Sequence, residues 1–175
     1  LVERATKRLE QALAALQPER DLVEPFPTPP PPGAARRVHT AVPADRLRDM
    51  NEALRALPEG FALHPKLLRA EQRRRAALQE PDARAVDWAT AEELAFASIL
   101  ADGVPIRLTG QDVERGTFGQ RHAVLHDTKT GRLFTPLQAL PQAAAGFEVF
   151  NSPLSEAAPL GFEYGYSVQA PERLV

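Results

Sequence analysis

"GFEVFNSPLSEAAPLGFEYGYS", residues 146–167, decides how the chain is read. Phe147 to Phe150 read as a strand, residues 151–153 break it, and a small-residue helix follows with Glu156 at its start. Pro159 locates that start. In a helix beginning at Pro153 it would remove an interior hydrogen bond at a cost of about 3 kcal/mol. With Ser155 as the cap and Glu156 as the first helical residue, Pro159 falls in the first turn, where most amide protons have no intrahelical partner. We therefore expect Ser155 to cap the helix. An acid at that point complements the helix dipole by roughly 0.3–1 kcal/mol. It also stands outside the carboxyl end of a strand, where open α/β sheets bind ligands. The residues alone leave both roles open.

Upstream, "VPIRLTGQDV" reads as a strand over 104–109 ending in a glycine turn, and "HAVLHDTKTGRLFTPL" alternates as a hairpin with Lys129 to Gly131 at its tip. Before Gly103 the period becomes helical. "DWATAEELAFASILADG" has Thr90 and Glu93 in capping-box spacing, a close-packing face of Ala91, Leu94, Ala95, Ser98 and Ile99, and a stop at Gly103. "HPKLLRAEQRRRAALQE" is another helix, whose consecutive Arg73, Arg74 and Arg75 fan around the axis as a solvated face. "PADRLRDMNEALRALPEG" starts near Pro43, aligns Leu47, Met50, Leu54 and Leu57, and stops at Pro58 to Gly60. Six prolines between Pro25 and Pro32 forbid helix and ladder pairing, so "EPFPTPPPPGAARR" reads as a stiff extended linker rather than as a proline-motif ligand. Residues 1–17 form an amphipathic helix with Val2, Ala5, Leu9, Ala12, Leu13 and Leu16 on one side. Helices followed by strands alternating with helices predict an α/β layer sandwich entered through a helical, proline-rich arm.

The 175 residues suffice for one medium domain, or a domain plus an arm. With 43% hydrophobic and 25% charged residues and a net charge of -2, the chain reads as an ordinary soluble globular protein, with no nucleic-acid or membrane partner implied. Lacking cysteine, it has no disulfide, zinc–thiolate or thiol-nucleophile chemistry, and a cytoplasmic setting is the expectation. No apolar run approaches the roughly 20 residues that span a bilayer, and no export leader is visible. Leu1 opens directly into a helical pattern and Val175 closes on "RLV", so we expect a piece of a longer protein.

Two loops at strand ends are the candidate site: "TGQDVERGTFGQRH" and "NSPLSE". In the first, Gly110, Gly116 and Gly119 with Asp112, Glu114, Arg115 and Arg121 would equally suit a surface turn with paired charges, and the spacing is not that of a phosphate-cradling loop. His122 and His126 would suit a metal on a helix, but the strand-like alternation separates them, so no metal site is expected.

"HPKLL", "VDWATAEELAFASIL", "GQDVERGTFGQRHAVLHD" with its downstream "TPLQAL", and above all "FEVFNSPLSEAAPLGFEYGYS" resemble the thiamine-diphosphate-dependent 2-oxoglutarate dehydrogenases, the decarboxylating first component of the 2-oxoglutarate dehydrogenase complex. The resemblance covers about residues 60–175 well and the first 58 only in general character. Pyruvate-type relatives share "GQDVERG" and "SE" more loosely. It implies a helix of a preceding domain over 1–24, a Pro-rich linker over 25–42, a helical connecting segment over 43–86, and the first part of a pyrimidine-binding, transketolase-like domain over 87–175.

Thiamine diphosphate would then lie at a homodimer interface, between the pyrimidine-binding domain of one subunit and the diphosphate-binding domain of the other. Glu156 matches the catalytic glutamate that bonds the aminopyrimidine ring nitrogen. Gln111 and Leu154 match cofactor-binding positions; Arg115, His122 and Tyr164 lie in well-matched stretches without an assigned contact. Such a carboxyl shares a proton with the ring and works best where water is excluded, so the resemblance implies that Glu156 becomes buried once dimer and cofactor are in place. Magnesium would be held by a domain absent from this chain, because no "GDG" occurs in it. The partners implied are 2-oxoglutarate and the lipoyl domain of the dihydrolipoyl succinyltransferase component, with the isolated chain inactive. The alternatives are a non-catalytic dimerisation or assembly segment and a related 2-oxo acid decarboxylase or pyruvate-type dehydrogenase. The family commonly has an aliphatic residue where Pro159 stands.

Overall fold

The computed structural model describes residues 2–15, 17, 31–79 and 86–170. The chain forms two compact units, Leu1–Thr40 and Ala41–Val175. The first contains α1 (Val2–Ala15), an amphipathic helix whose Leu9 and Leu13 are both 71% exposed. Leu16 and residues 18–30, including most of the proline run, lie outside the described residues. The expectation of an extended linker fails at its far end, where Ala34–Arg37 wind into a short 3-10 helix. The prolines stop at Pro32, so the Ala34 and Arg36 amides are available to donate to the Pro31 and Gly33 carbonyls at 3.0 and 3.1 Å.

In the second unit, α2 (Ala44–Leu54) begins after Pro43 and buries Met50, Asn51 and Leu54. It stops before Pro58, so Leu57 lies beyond the helix instead of extending its face. α3 (Pro65–Ala76) is capped by His64, whose ring Nδ1 accepts the Lys66 amide at 3.2 Å. α4 (Trp88–Ala101) is capped by Asp87, whose carboxylate accepts the Thr90 amide at 2.7 Å. The expected capping box is therefore not formed: Thr90 is buried, and Glu93 turns inward to Arg55. Burial pushes the Asp87 carboxyl up, but its bonds with Thr90 together with the Arg74 and Arg55 charges outweigh that and hold it below the usual range. Gly103, with φ 83, follows the end of α4 as expected.

Four strands follow: β1 (Ile106–Gly110), β2 (Leu125–His126), β3 (Leu133–Phe134) and β4 (Phe147–Asn151). β1 and β4 pair in parallel, from Ile106 opposite Phe147 to Gly110 opposite Asn151. β2 and β3 form the expected hairpin, antiparallel with Leu125 opposite Phe134. Its tip is organised by buried Asp127, whose carboxylate accepts the Lys129 and Thr130 amides at 2.8 and 3.0 Å and the Ala62 amide at 3.1 Å. These bonds hold the Asp127 carboxyl below the usual carboxylate range. No helix intervenes between β1 and β4, so this part of the chain is less regularly alternating than its pattern suggests. α5 (Ala157–Gln169) closes the unit.

The core joins Met50 and Leu54 of α2 to Leu94, Ala97 and Leu100 of α4, with Ile106, Leu137, Leu140 and Phe147 beneath. Burying each large side chain contributes about 1.5–3 kcal/mol. α4 thus packs through Thr90, Leu94, Ala97 and Leu100; Ala91 and Ala95, expected to pack closely, are exposed. Across the helices runs a buried ion network. Arg55 just past α2 pairs with Glu71 of α3 and Glu93 of α4, and Arg74 of α3 pairs with Glu71 at 3.2 Å. Burial pulls the Arg55 guanidinium down, but the two carboxylates outweigh it and leave it above its ordinary value. The arginine run of α3 does fan out, but its members differ: Arg74 has only 11% of its side chain exposed, and Arg75 pairs with Glu52 at 54% exposure.

Removing Arg55 leaves nearly buried Glu93 without its ion-pair partner and Glu71 with Arg74 alone, so Arg55→Ala should lower stability by about 3–5 kcal/mol. Arg75→Ala should cost less than about 1 kcal/mol. Urea denaturation of the two variants measures the difference, and equal losses would contradict the buried network.

Candidate functional site

Because the last rung of the parallel pair sets Gly110 against Asn151, the two candidate loops leave neighbouring strand ends. Two bonds extend the pairing beyond the strands: the Ser152 amide donates to the Gly110 carbonyl at 2.8 Å, and the Glu114 amide donates to Asn151 Oδ1 at 3.1 Å. Gly110 has φ 152, and a Cβ there would lie 2.9 Å from Cγ1 of buried Val113. The tight exit from β1 therefore requires glycine. Gln111 follows directly and is half-buried.

On the other side, Leu154 is 84% exposed and Glu156 is exposed. α5 begins at Ala157, one residue later than expected, with Glu156 just before it at φ -64 and ψ -28. Ser155 does not cap it, and Glu156 makes no side-chain cap bond either. The Ser155 amide donates to the Pro153 carbonyl at 2.8 Å, while its own carbonyl accepts the Ala158 amide at 3.2 Å. Pro159 becomes the third helical residue, still within the turn that needs no donor. α5 buries none of its residues. Arg107 of β1 reaches it, lying 4.5 Å from the Tyr166 ring centre and 5.9 Å from that of Phe162, while Tyr164 is 63% exposed.

The β1 loop carries two non-glycine residues with left-handed backbone, Asp112 (φ 56) and His122 (φ 50), the pair that shows it among the described residues. Each such conformation costs of order 1–3 kcal/mol and persists where its surroundings fix it. The Gly116 amide donates to the Asp112 carbonyl at 2.7 Å, and the Arg121 and His122 amides both donate to the Arg115 carbonyl at 3.0 Å. The Arg115 side chain stays half exposed, paired with Asp112 at 3.2 Å.

Arg121 holds Glu92 of α4 in a two-pronged pair at 2.6 and 3.0 Å and also donates to the Val113 carbonyl at 3.0 Å. Arg74 donates to the Gln120 carbonyl at 2.7 Å. Sequence reading placed Asn151 in the candidate loop but missed its bond to Glu114, and it missed Glu92 and Arg74 as parts of this site, because each acts on a residue far away in the chain and no local spacing marks it.

A cavity of about 310 Å3 opens beside the loop, with His64, His122, His126, Asp112, Glu114 and Asn151 in its wall. Burial, helped by Arg74, lowers the affinity of His122 for a proton below its ordinary 6.5, while the Gly119 carbonyl pulls the other way. The ring is therefore neutral at neutral pH. Among the described residues no group of three or more His, Asp or Glu could hold a metal ion. None of their helices is long and apolar enough to cross a membrane.

Parallel strands deliver two loops to one edge, the place where open α/β sheets bind ligands. Residues 84–175 match the transketolase pyrimidine binding domain, and the chain belongs to that family. It is also similar to the 2-oxoglutarate dehydrogenase E1 components of Bacillus cereus (strain B4264) and Bacillus anthracis (strain A0248). Each is 56% identical over 138 residues, or 79% of this chain. The chain spans 14% of the length of these relatives. The resemblance read from "GQDVERGTFGQRHAVLHD" and "NSPLSE" is thus borne out.

Folding keeps His122 neutral, so its contribution to stability is present above pH 6.5 and is lost as pH falls through its lowered value. Thermal melts from about pH 7.5 to about pH 5 should show the wild type losing more stability than His122→Gln. Parallel losses would contradict this placement of the ring.

Proposed function

We propose that the chain is the section of a 2-oxoglutarate dehydrogenase that holds the aminopyrimidine half of thiamine diphosphate, with Gln111, Leu154 and Glu156 as the residues that meet it. The observation that carries this reading is the register of Gly110 against Asn151, which makes the Gln111 turn and the turn leading to Glu156 neighbours. The donor set suits an aminopyrimidine: a carboxyl for the ring nitrogen, an amide for the polar edge, and the exposed Leu154 side chain for a ring face. No "GDG" occurs in the sequence, so this reading assigns the diphosphate end and magnesium to another domain, and we divide the chain for function at residue 87.

When bound, thiamine diphosphate would supply the nucleophilic carbon and electron sink for decarboxylation of a 2-oxo acid. Glu156 holds the proton shared with the pyrimidine ring nitrogen, through a charge-assisted hydrogen bond that strengthens as water is excluded. In this chain Glu156 is open to solvent. Exclusion of water would come from a second subunit, which supports a homodimer, and the wholly unburied α5 suits a helix covered in that way. The intact enzyme would decarboxylate 2-oxoglutarate and pass the succinyl group to the lipoyl arm of the succinyltransferase component in the tricarboxylic acid cycle, in the cytoplasm. This section by itself would be inactive.

In full-length protein supplied with thiamine diphosphate and magnesium, Glu156→Ala should lower kcat with 2-oxoglutarate by about 100-fold or more. Near-normal turnover would remove Glu156 from catalysis. A wild type that prefers pyruvate would overturn the substrate assignment.

A further inference from the structure

Arg121 lies ten positions beyond Gln111, yet it holds both the beginning and the end of the loop that Gln111 opens. Its guanidinium makes three bonds from a side chain that is only 18% exposed: two to the Glu92 carboxylate, at 2.6 and 3.0 Å, and one to the Val113 carbonyl, at 3.0 Å. Val113 is the residue whose side chain abuts Gly110, and it follows Asp112, one of the two left-handed residues of the loop. Arg121 itself precedes His122, the other one, and its amide donates to the Arg115 carbonyl in the middle of the loop. Glu92 is carried by α4, whose Leu94, Ala97 and Leu100 lie in the core, so the loop is tied to a helix anchored there.

We propose that Arg121, through Glu92 and the Val113 carbonyl, is a positioning residue that sets where Gln111 stands relative to the turn leading to Glu156. This rests on the reading of Gln111 and Glu156 as cofactor ligands. A planar guanidinium bonded on two edges fixes direction as well as distance, which an ammonium cannot do. The neighbouring bond from Arg74 to the Gln120 carbonyl holds the same segment from α3, so loss of Arg121 should displace the front of the loop without unfolding it. Arg75, paired with Glu52 on the outer side of α3, provides a control of similar chemistry without a bond to the loop.

The test uses the full-length protein. Thiamine diphosphate is titrated in magnesium buffer by calorimetry, and the melting temperature is measured without cofactor, for the wild type, Arg121→Lys, Arg121→Met, Glu92→Gln and Arg75→Met. Arg121→Met and Glu92→Gln should raise the cofactor Kd at least about tenfold, with Arg121→Lys intermediate and Arg75→Met at the wild-type value. The cofactor-free melting temperatures of the loop variants should stay within about 2 °C of that of Arg75→Met. The double exchange Arg121→Glu with Glu92→Arg should recover part of the affinity.

If Arg121→Met does not fold, Glu92→Gln, which keeps the side-chain shape, decides the matter through the same two measurements. An unchanged Kd, or a Kd that rises only in step with a falling melting temperature, overturns the positioning role. A wild type that does not bind thiamine diphosphate overturns the underlying reading of the site instead.

Discussion

Five rungs of parallel pairing between β1 and β4 hold the rest of the arrangement in place. Parallel strands have their carboxyl ends on the same edge, so two loops far apart in the chain emerge together there. Shifting the pairing by one residue would turn every side chain of a strand to the opposite face, and buried Ile106 and Phe147 oppose that shift from the core side. Gly110 is the point where the pairing becomes a site. Only a residue without a side chain passes Val113 there, and the turn it allows places Gln111 beside the chain that leads to Glu156.

The helices contribute more than cover for one face of the sheet. Glu92 and Glu93 are consecutive on α4 and serve different tasks: Glu93 joins the buried network around Arg55, and Glu92 takes Arg121 from the loop. Arg74 likewise belongs to both, pairing with Glu71 inside the helical layer and bonding the loop at Gln120. Charges that stabilise the packing of α2, α3 and α4 therefore also fix the loop, and the loop can keep Asp112 and His122 in left-handed backbone because its amides and carbonyls are held on several sides.

Much of this could be read from the chain alone, for reasons that are local. A strand running into "TG" and another running into "NSP" announce turns at strand ends, and the hairpin tip with Gly131 follows from the same chemistry. Misreadings arose where tertiary contacts chose between local options of similar energy. Asp87 and Thr90 can both cap a helix, and the choice fell to Asp87 because Thr90 is buried against the core and Glu93 is drawn to Arg55. Ser155 has a suitable side chain for a cap, but the helix starts at Ala157 with Glu156 at the cap position, which leaves Ser155 one residue too early. Arg74 is indistinguishable from Arg73 and Arg75 in composition; only the packing of α3 on α2 and the approach of the loop set it apart. The candidate ligands Gln111, Leu154 and Glu156 were found by resemblance, and the parallel register supplies the physical reason they belong to one edge.

Family membership and strand register together make a sharp statement about where a pyrimidine ring would lie, and a structure of the full-length protein with thiamine diphosphate bound examines it most directly. The aminopyrimidine ring nitrogen should lie within about 2.6–3.2 Å of the Glu156 carboxyl, with Gln111 also in contact with the cofactor and both loops leaving the Gly110–Asn151 rung. A cofactor seated away from that rung, or a Glu156 still open to solvent in the complex, would contradict it.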